Sequence, residues 1–305
     1  LLELPDKLPG SDHGINDKFH ENIWSGTLPK ECFIPGSQIS FKDGSSETSK
    51  LPLKVGAPTP FKMINLPFYL FGANEQTLDK TQSGNPSLSH ALTKNMKEAL
   101  KQIAKINDSL ITQKLFPLVL GGEHSITPGC IIPFVQRYKN ICLLHFDAHA
   151  DLRESYNNNK FSHASAIRRC LDYKNVNVIS FGIRNISAEE ISYLKKNNKR
   201  IKIFWAKDKD KWNLNLFKKL IKNKTVYLTF DVDGFDSSVM AATGTPEPGG
   251  LFWDETIKII KIAAKNSRIV GADINELAPI KGFNIYNFLA AKLVYKILAY
   301  RFIKN

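Results

Sequence analysis

Six short apolar runs recur between residues 117 and 272, each separated from the next by a longer polar stretch with helical spacing. They occupy 117–120, 141–146, 176–181, 201–205, 226–230 and 269–272. A strand apolar at every position, rather than at alternate ones, is covered on both faces. Such strands alternating with helices predict an α/β fold with a parallel sheet covered on both faces. The spacing also predicts a long helix over 87–113 and an amphipathic helix over 288–303, the latter carrying Leu289, Leu293, Ile297 and Phe302 on or near one face. Residues 1–60 are rich in Pro, Gly, Ser and charge, and 36–50 reads as a flexible stretch.

Composition narrows the classes. A chain of 305 residues that is 43% hydrophobic can bury a core without disulfides or a structural metal. No apolar run approaches the ~18–20 residues of a membrane span, and no signal-peptide pattern opens the chain. Cys32, Cys130, Cys142 and Cys170 form no CxxC pair, which predicts reduced thiols and a cytoplasmic protein. The net charge of +13 is concentrated in 195–224, which holds twelve Lys/Arg and two acids, Asp208 and Asp210. Lysine dominates and no aromatic–basic interleaving stands out, so the patch reads as the solvent face of a strand and helix rather than a nucleic-acid site.

The chemistry follows the strands. Gly121-Gly122-Glu123-His124-Ser125 comes after the first run, Asp147-Ala148-His149-Ala150-Asp151 after the second, and Asp231-Val232-Asp233 after the fifth. In open α/β sheets the ligand crevice lies at the carboxyl ends of the strands, so these segments are expected to converge. Residues i, i+2 and i+4 of an extended chain share a face. Asp147, His149 and Asp151 therefore project together, as do Asp231 and Asp233. A lone strand-end Asp is usually a cap or turn former. With His124, however, these blocks bring four carboxylates and two imidazoles to one crevice, where the carboxylates repel one another. Two divalent ions match their charge; Mn²⁺ suits the donor set, with Co²⁺, Ni²⁺ or Zn²⁺ compatible. His145, inside its strand, reads as a packed core histidine, and His13, His20 and His90 as surface residues.

The motifs GGEHS (121–125), HFDAHADLRE (145–154), SHAS (162–165), SFGIR (180–184), TFDVDGFD (229–236), ATGTPEPGG (242–250) and ADINELAP (272–279) resemble those of the ureohydrolases, the arginase and agmatinase family, and most closely its agmatinases. The resemblance covers 115–300 and implies one catalytic domain over 1–305, with a diverged N-terminal segment over 1–85. It implies a three-layer α/β/α fold on an arginase-like parallel sheet of about eight strands, and a homo-oligomer, trimer or hexamer.

By that resemblance His124, Asp147, Asp151 and Asp231 hold one manganese, and Asp147, His149, Asp231 and Asp233 the other. His163 is the implied proton shuttle, and Glu276 the implied carboxylate that holds the substrate guanidinium. The implied reaction is metal-dependent hydrolysis of a small cationic guanidino compound, agmatine giving putrescine and urea, in polyamine biosynthesis. Guanidinobutyrate, guanidine or arginine are alternative substrates, and a catalytically silent metal-binding homologue is the alternative role. Asn185-Ile186-Ser187 stands where arginases place acidic residues for the α-amino group, which favours agmatine over an amino acid. The chain departs from the family at Ser237, Ala241-Ala242 and Tyr286-Asn287, and only Gly56-Ala57-Pro58 echoes the usual N-terminal strand segment.

Overall fold

Each apolar run forms a strand, and the strands join in one parallel sheet ordered β3 (Leu118–Leu120), β8 (Arg268–Asn275), β7 (Thr225–Asp231), β4 (Ile141–Phe146), β5 (Val176–Phe181), β6 (Ile201–Phe204). The structure, a computed structural model, describes residues 38–40, 46–48 and 86–302, with side chains from 96 to 302. In chain order the elements are β1 (Gln38–Ser40), β2 (Ser46–Thr48), α1 (Pro86–Thr112), β3 (Leu118–Leu120), α2 (Thr127–Arg137), β4 (Ile141–Phe146), α3 (Ala166–Cys170), β5 (Val176–Phe181), α4 (Ala188–Lys196), β6 (Ile201–Phe204), α5 (Leu214–Ile221), β7 (Thr225–Asp231), α6 (Trp253–Asn266), β8 (Arg268–Asn275) and α7 (Asn284–Phe302).

Two compact units divide the chain: Leu1–Pro67 with Pro279–Lys292, and Phe68–Ala278 with Leu293–Asn305. In the first, β1 and β2 pair antiparallel, with Ile39 opposite Glu47; they fall within the 36–50 stretch read as flexible. The remainder of 1–85, including His13, His20, Cys32 and Gly56-Ala57-Pro58, lies outside the described residues, as does the side chain of His90. The second unit holds the large sheet, with six strands among the described residues where the resemblance implies about eight.

The strand order fixes the layers. Steps β3→β4, β4→β5 and β5→β6 move one way across the sheet, whereas β6→β7 and β7→β8 move back. Right-handed crossovers therefore put α2, α3 and α4 on one face and α5 and α6 on the other. Packing agrees: α2 lies against α1 and α3, and α5 against α6. The direction reverses between β4 and β7, and that neighbouring pair opens the crevice of the sheet.

An aromatic row lies just under that crevice. Phe204, Phe181 and Phe146 close β6, β5 and β4, and Phe230, one residue before the end of β7, continues the row as the register partner of Phe146. Their rings stack at 4.4, 5.9 and 4.9 Å, and all four are buried. Stacked large rings bury the most apolar area available to a strand residue, so the residues that follow them leave a rigid floor. Cys130, Cys142 and Cys170 are buried free thiols, and burial pushes the Cys142 thiol up to about 12.

Candidate metal centre and active site

Four adjacent strands deliver the acidic and imidazole groups to one end of the sheet. His124 follows β3 in a 3-10 turn, Asp147 follows β4, Asp231 closes β7 and Glu276 follows β8. The close approach needs glycine: a Cβ at Gly234 would stand 2.8 Å from the backbone nitrogen of Asp147. Asp151 and Glu276 both adopt positive φ, at 52° and 66°, and such strain in non-glycine residues is characteristic of functional sites.

His124 Nδ1 lies 3.1 Å from Asp147 Oδ2, 3.2 Å from Asp151 Oδ2 and 3.4 Å from Asp231 Oδ2. All four side chains are buried, yet Nδ1 makes no hydrogen bond to any of the three. Its other nitrogen explains the orientation. Nε2 sits 2.9 Å from Thr229 Oγ1, and that hydroxyl donates to Asp273 Oδ1 at 2.6 Å. With its own proton spent on Asp273, Thr229 accepts from Nε2–H. In its neutral form the ring is thereby set in the tautomer whose Nδ1 carries a lone pair, as a metal ligand requires. One nitrogen lone pair and three carboxylate oxygens facing a common point fit a divalent cation.

A second group adjoins the first. Ligand atoms of Asp147, His149 and Asp233 lie within 4.8 Å of one another, as do those of Asp231, Asp233 and Glu276. His149 Nδ1 is 2.9 Å from Asp233 Oδ2 and 3.5 Å from Asp147 Oδ1. Three carboxylates are braced by the backbone. Asp147 Oδ1 accepts from the His149 N–H, Asp233 Oδ1 from that of Ala148, and Asp231 Oδ1 from that of Asp233. In each case the second oxygen turns to an imidazole of the cluster.

Electrostatics point the same way. Burial, followed by repulsion from neighbouring carboxylates, holds Asp151, Asp231 and Asp233 above the usual carboxylate range. For Asp147, burial is outweighed by the three surrounding histidines, and its carboxyl is held low. Burial disfavours the charged His149 ring, but Asp147 and Asp233 outweigh it and push His149 up to about 12. The cluster draws positive charge, and metal ions compete with protons for such ligands.

His163 and Glu276 border this cluster. His163 Nδ1 is 3.0 Å from Glu123 Oε1. Burial lowers the His163 pKa, but Glu123 outweighs it, and with Glu276 and Asp151 lifts the ring to about 9. Glu276 Oε1 accepts from the His124 backbone N–H at 3.1 Å, and burial together with Asp233 pushes its carboxyl up to about 8.

His145 departs from its reading as a bland core residue. It is fully buried, but Nε2 is 2.8 Å from Asp147 Oδ2 and Nδ1 is 3.0 Å from Ser180 Oγ. Positions 145 and 147 share strand parity, which turns the ring onto the Asp147 carboxylate; that parity was available in the sequence. Other residues about the site belong to the quoted motifs without having been singled out: Glu123, Thr229, Asp273, Thr245, Glu247 and Arg184. Thr245 Oγ1 donates to Asp233 Oδ2 at 3.2 Å. Arg184 spends its guanidinium on six backbone carbonyls, those of Gly182, Asp233, Gly234, Phe235, Glu247 and Pro248. It thus ties the segment after β7 and the 242–250 loop to the end of β5.

The Arginase family model matches residues 64–299. The chain belongs to the arginase family. Within it, an N(1)-aminopropylagmatine ureohydrolase from Synechocystis sp. is 35% identical over 61% of this chain and 60% of its own length. An agmatinase from Pyrococcus horikoshii is 31% identical over 77% of this chain and 80% of its own. The solved agmatine ureohydrolase of Thermoplasma volcanium superposes with a TM-score of 0.60 at 30% identity, covering 68% of this chain and 69% of that one. The arginase-family chain thus spans three-fifths of the cyanobacterial relative and most of the archaeal one. A separate match, to Peptidase M66 over 14–112, covers under a third of the chain. Trp24 follows His20-Glu21 where a metalloprotease HExxH motif needs its second histidine.

Proposed function

We propose that this arginase-family chain is a two-metal amidinohydrolase that cleaves agmatine to putrescine and urea. The observation that carries the reading is the buried convergence of His124 Nδ1 with Asp147, Asp151 and Asp231 at 3.1 to 3.4 Å, with no hydrogen bond among them. His124, Asp147, Asp151 and Asp231 would hold one ion, and Asp147, His149, Asp231 and Asp233 the second. Two bound divalent ions, with Mn²⁺ the favoured metal, would supply hydroxide near neutral pH and positive charge for the oxygen that becomes anionic.

The remaining steps belong to side chains. A guanidinium carbon is a poor electrophile because resonance spreads its charge, so orientation matters. Glu276, grouped with Asp231 and Asp233, would hold the guanidinium by paired charge-assisted hydrogen bonds. His163, kept cationic by Glu123, would give its proton to the departing amine nitrogen, which otherwise leaves as a high-energy amide anion. Burial of the carboxylates keeps bulk water from screening these interactions. The names of the relatives support a guanidino substrate, and Asn185 in place of an acidic residue supports agmatine over arginine. A soluble, cytoplasmic homo-oligomer in polyamine biosynthesis fits this role, and no helix among the described residues is long and apolar enough to cross a membrane.

Urea release from the Mn²⁺-loaded protein tests the reading, with agmatine, N1-aminopropylagmatine, arginine, 4-guanidinobutyrate and guanidine as substrates. Turnover of agmatine is expected; silence on all five would end it, and arginine above agmatine would overturn the substrate.

A further inference from the structure

On the reading above, nearly every anion of the site has a cation. Two divalent ions balance the carboxylates of Asp147, Asp151, Asp231 and Asp233, the substrate guanidinium answers Glu276, and His163 answers Glu123. Glu247 is left with no cation hydrogen-bonded to it. Its carboxylate Oε1 accepts from Asn185 Nδ2 at 2.8 Å and lies 4.0 Å from His149 Nε2, beyond hydrogen-bond range. A histidine that ligates a metal is neutral, so His149 does not cancel the charge. Arg184 gives the carboxylate no hydrogen bond; its guanidinium bonds to the Glu247 carbonyl and acts on the carboxylate only through space. The second carboxylate oxygen, Oε2, has no partner among the described residues.

Its place is the solvent-facing rim. The ligands Asp147, Asp231 and Asp233 are at most 3% exposed, whereas His149 is 25% and Glu247 33% exposed. The 242–250 loop therefore makes two contacts beside one ligand pair: Thr245 on Asp233 inside, and Glu247 beside His149 outside. Asn185 is held next to His149 by its own backbone, whose N–H bonds to the carbonyl of Ala148. The carboxylate is thus held by Asn185 with one oxygen open, on the exposed side of the cluster beside the ligand His149.

Building on the proposed function, we infer that Glu247, anchored by Asn185, is the specificity residue for the far end of the substrate. It selects guanidino compounds that carry a second cation, an amine, at that end, and rejects those that carry a carboxylate there. Its open oxygen receives the ammonium of agmatine or of a longer aminoalkyl extension. The same fixed charge repels the carboxylate of 4-guanidinobutyrate or arginine, and like-charge rejection is an effective way to exclude a near-isosteric competitor.

The test compares agmatine, n-butylguanidine and 4-guanidinobutyrate, whose far ends are positive, neutral and negative on similar frames. With metal-loaded wild type, kcat/KM is expected to fall in that order. Glu247→Gln should cut the agmatine-to-butylguanidine ratio about fivefold, the size of one partly exposed charge pair, through KM rather than kcat. It should raise the guanidinobutyrate-to-butylguanidine ratio. Glu247→Lys should invert the preference, and Asn185→Ala should lower the agmatine ratio by less than Glu247→Gln does. Equal losses on all three substrates would overturn the inference, since they would mean that Glu247 acts through His149 or the loop. Ratios unmoved within twofold in both Glu247 variants would overturn it too. Wild type that turns over agmatine while the variants stay blind to charge defeats this inference alone. Wild type inert on every guanidino compound defeats the proposed function and this inference with it.

Discussion

Two regions of this chain are dense in charge, and they differ in what surrounds them. At the ends of β3, β8, β7 and β4 the carboxylates of Asp147, Asp151, Asp231 and Asp233 are buried within reach of His124 and His149. Along β6 and α5 the lysines Lys202, Lys207, Lys211, Lys218, Lys219, Lys222 and Lys224 are exposed to solvent. Exposed lysines keep their hydration and cost the fold almost nothing. Buried carboxylates cost several kcal/mol each unless a cation joins them, so a chain keeps a cluster of four only for a use. The net charge of +13 is set by the first kind of group and the chemistry by the second.

Removing one shared carboxylate breaks the comparison most sharply. Asp231→Asn takes a charge from both proposed ion sites and leaves an amide that cannot supply the lost anionic ligand. Metal content by mass spectrometry should fall from two ions per chain, and kcat/KM by about a thousandfold, the worth of several kcal/mol of lost charge stabilisation. A variant that binds two ions and turns over normally would refute the ligand assignment.

Next in size is the partly exposed rim. His163→Asn should lower kcat about a hundredfold, the lower end of what a positioned acid contributes, while two ions stay bound. The pH profile of Glu123→Gln separates the pair further. Glu123 stabilises the charged ring, so its loss must lower the His163 pKa. The alkaline limb of kcat, expected near 9 in the wild type from His163, should move down toward the ordinary histidine value of about 6.5. A limb that stays in place would mean that His163 is not the group titrating there.

Arg184→Lys tests how the site is held rather than what it does. A lysine has three donors and no planar fork, so it cannot reproduce the six carbonyl contacts that tie Asp233, Phe235 and Glu247 to the end of β5. A drop of about tenfold in affinity for the metal pair is expected, of the size seen when outer contacts to ligands are lost. Unchanged metal titration would make Arg184 a mere loop fastener.

The contrast between the regions also explains what was legible in the residues. Runs 141–146 and 176–181 coincide with β4 and β5 because nearly every residue there is buried, with the polar pair His145 and Ser180 meeting across the two strands. The last strand extends beyond its apolar run, to Arg268–Asn275, because Asp273 and Asn275 continue it as buried polar residues. Asn275 donates to Asp273, whose other partners, Thr127 and Thr229, lie on other elements and approach only when the sheet forms. The DxHxD and DxD blocks were readable as motifs that directly follow buried strands, although turns beyond β4 and β7, with Asp151 at positive φ, complete their convergence. Glu123 and Glu247 were not, since a carboxylate on a turn looks alike in sequence whether it meets solvent or a site histidine.

The smallest expected effect lies at the lysine edge. On α5, Phe217 and Ile221 are buried while Lys218, Lys219 and Lys222 face solvent, so neutralising the lysines removes no packing. β6 lies two strands from β4 and three from β7, roughly 10–15 Å at the usual strand spacing. That exceeds the Debye length of about 8 Å at physiological salt, and the leading causes that shift the buried carboxylates include no lysine. Lys218→Gln, Lys219→Gln and Lys222→Gln together should leave kcat/KM for agmatine within twofold at 0.15 M salt and stability within about 0.5 kcal/mol per site. At 10 mM salt, where the screening length grows to about 30 Å, the triple variant should gain slightly in on-rate, because a positive field that slowed the cation has been removed. A large loss of activity at physiological salt would show that the two charged regions are coupled and that the basic edge takes part in function.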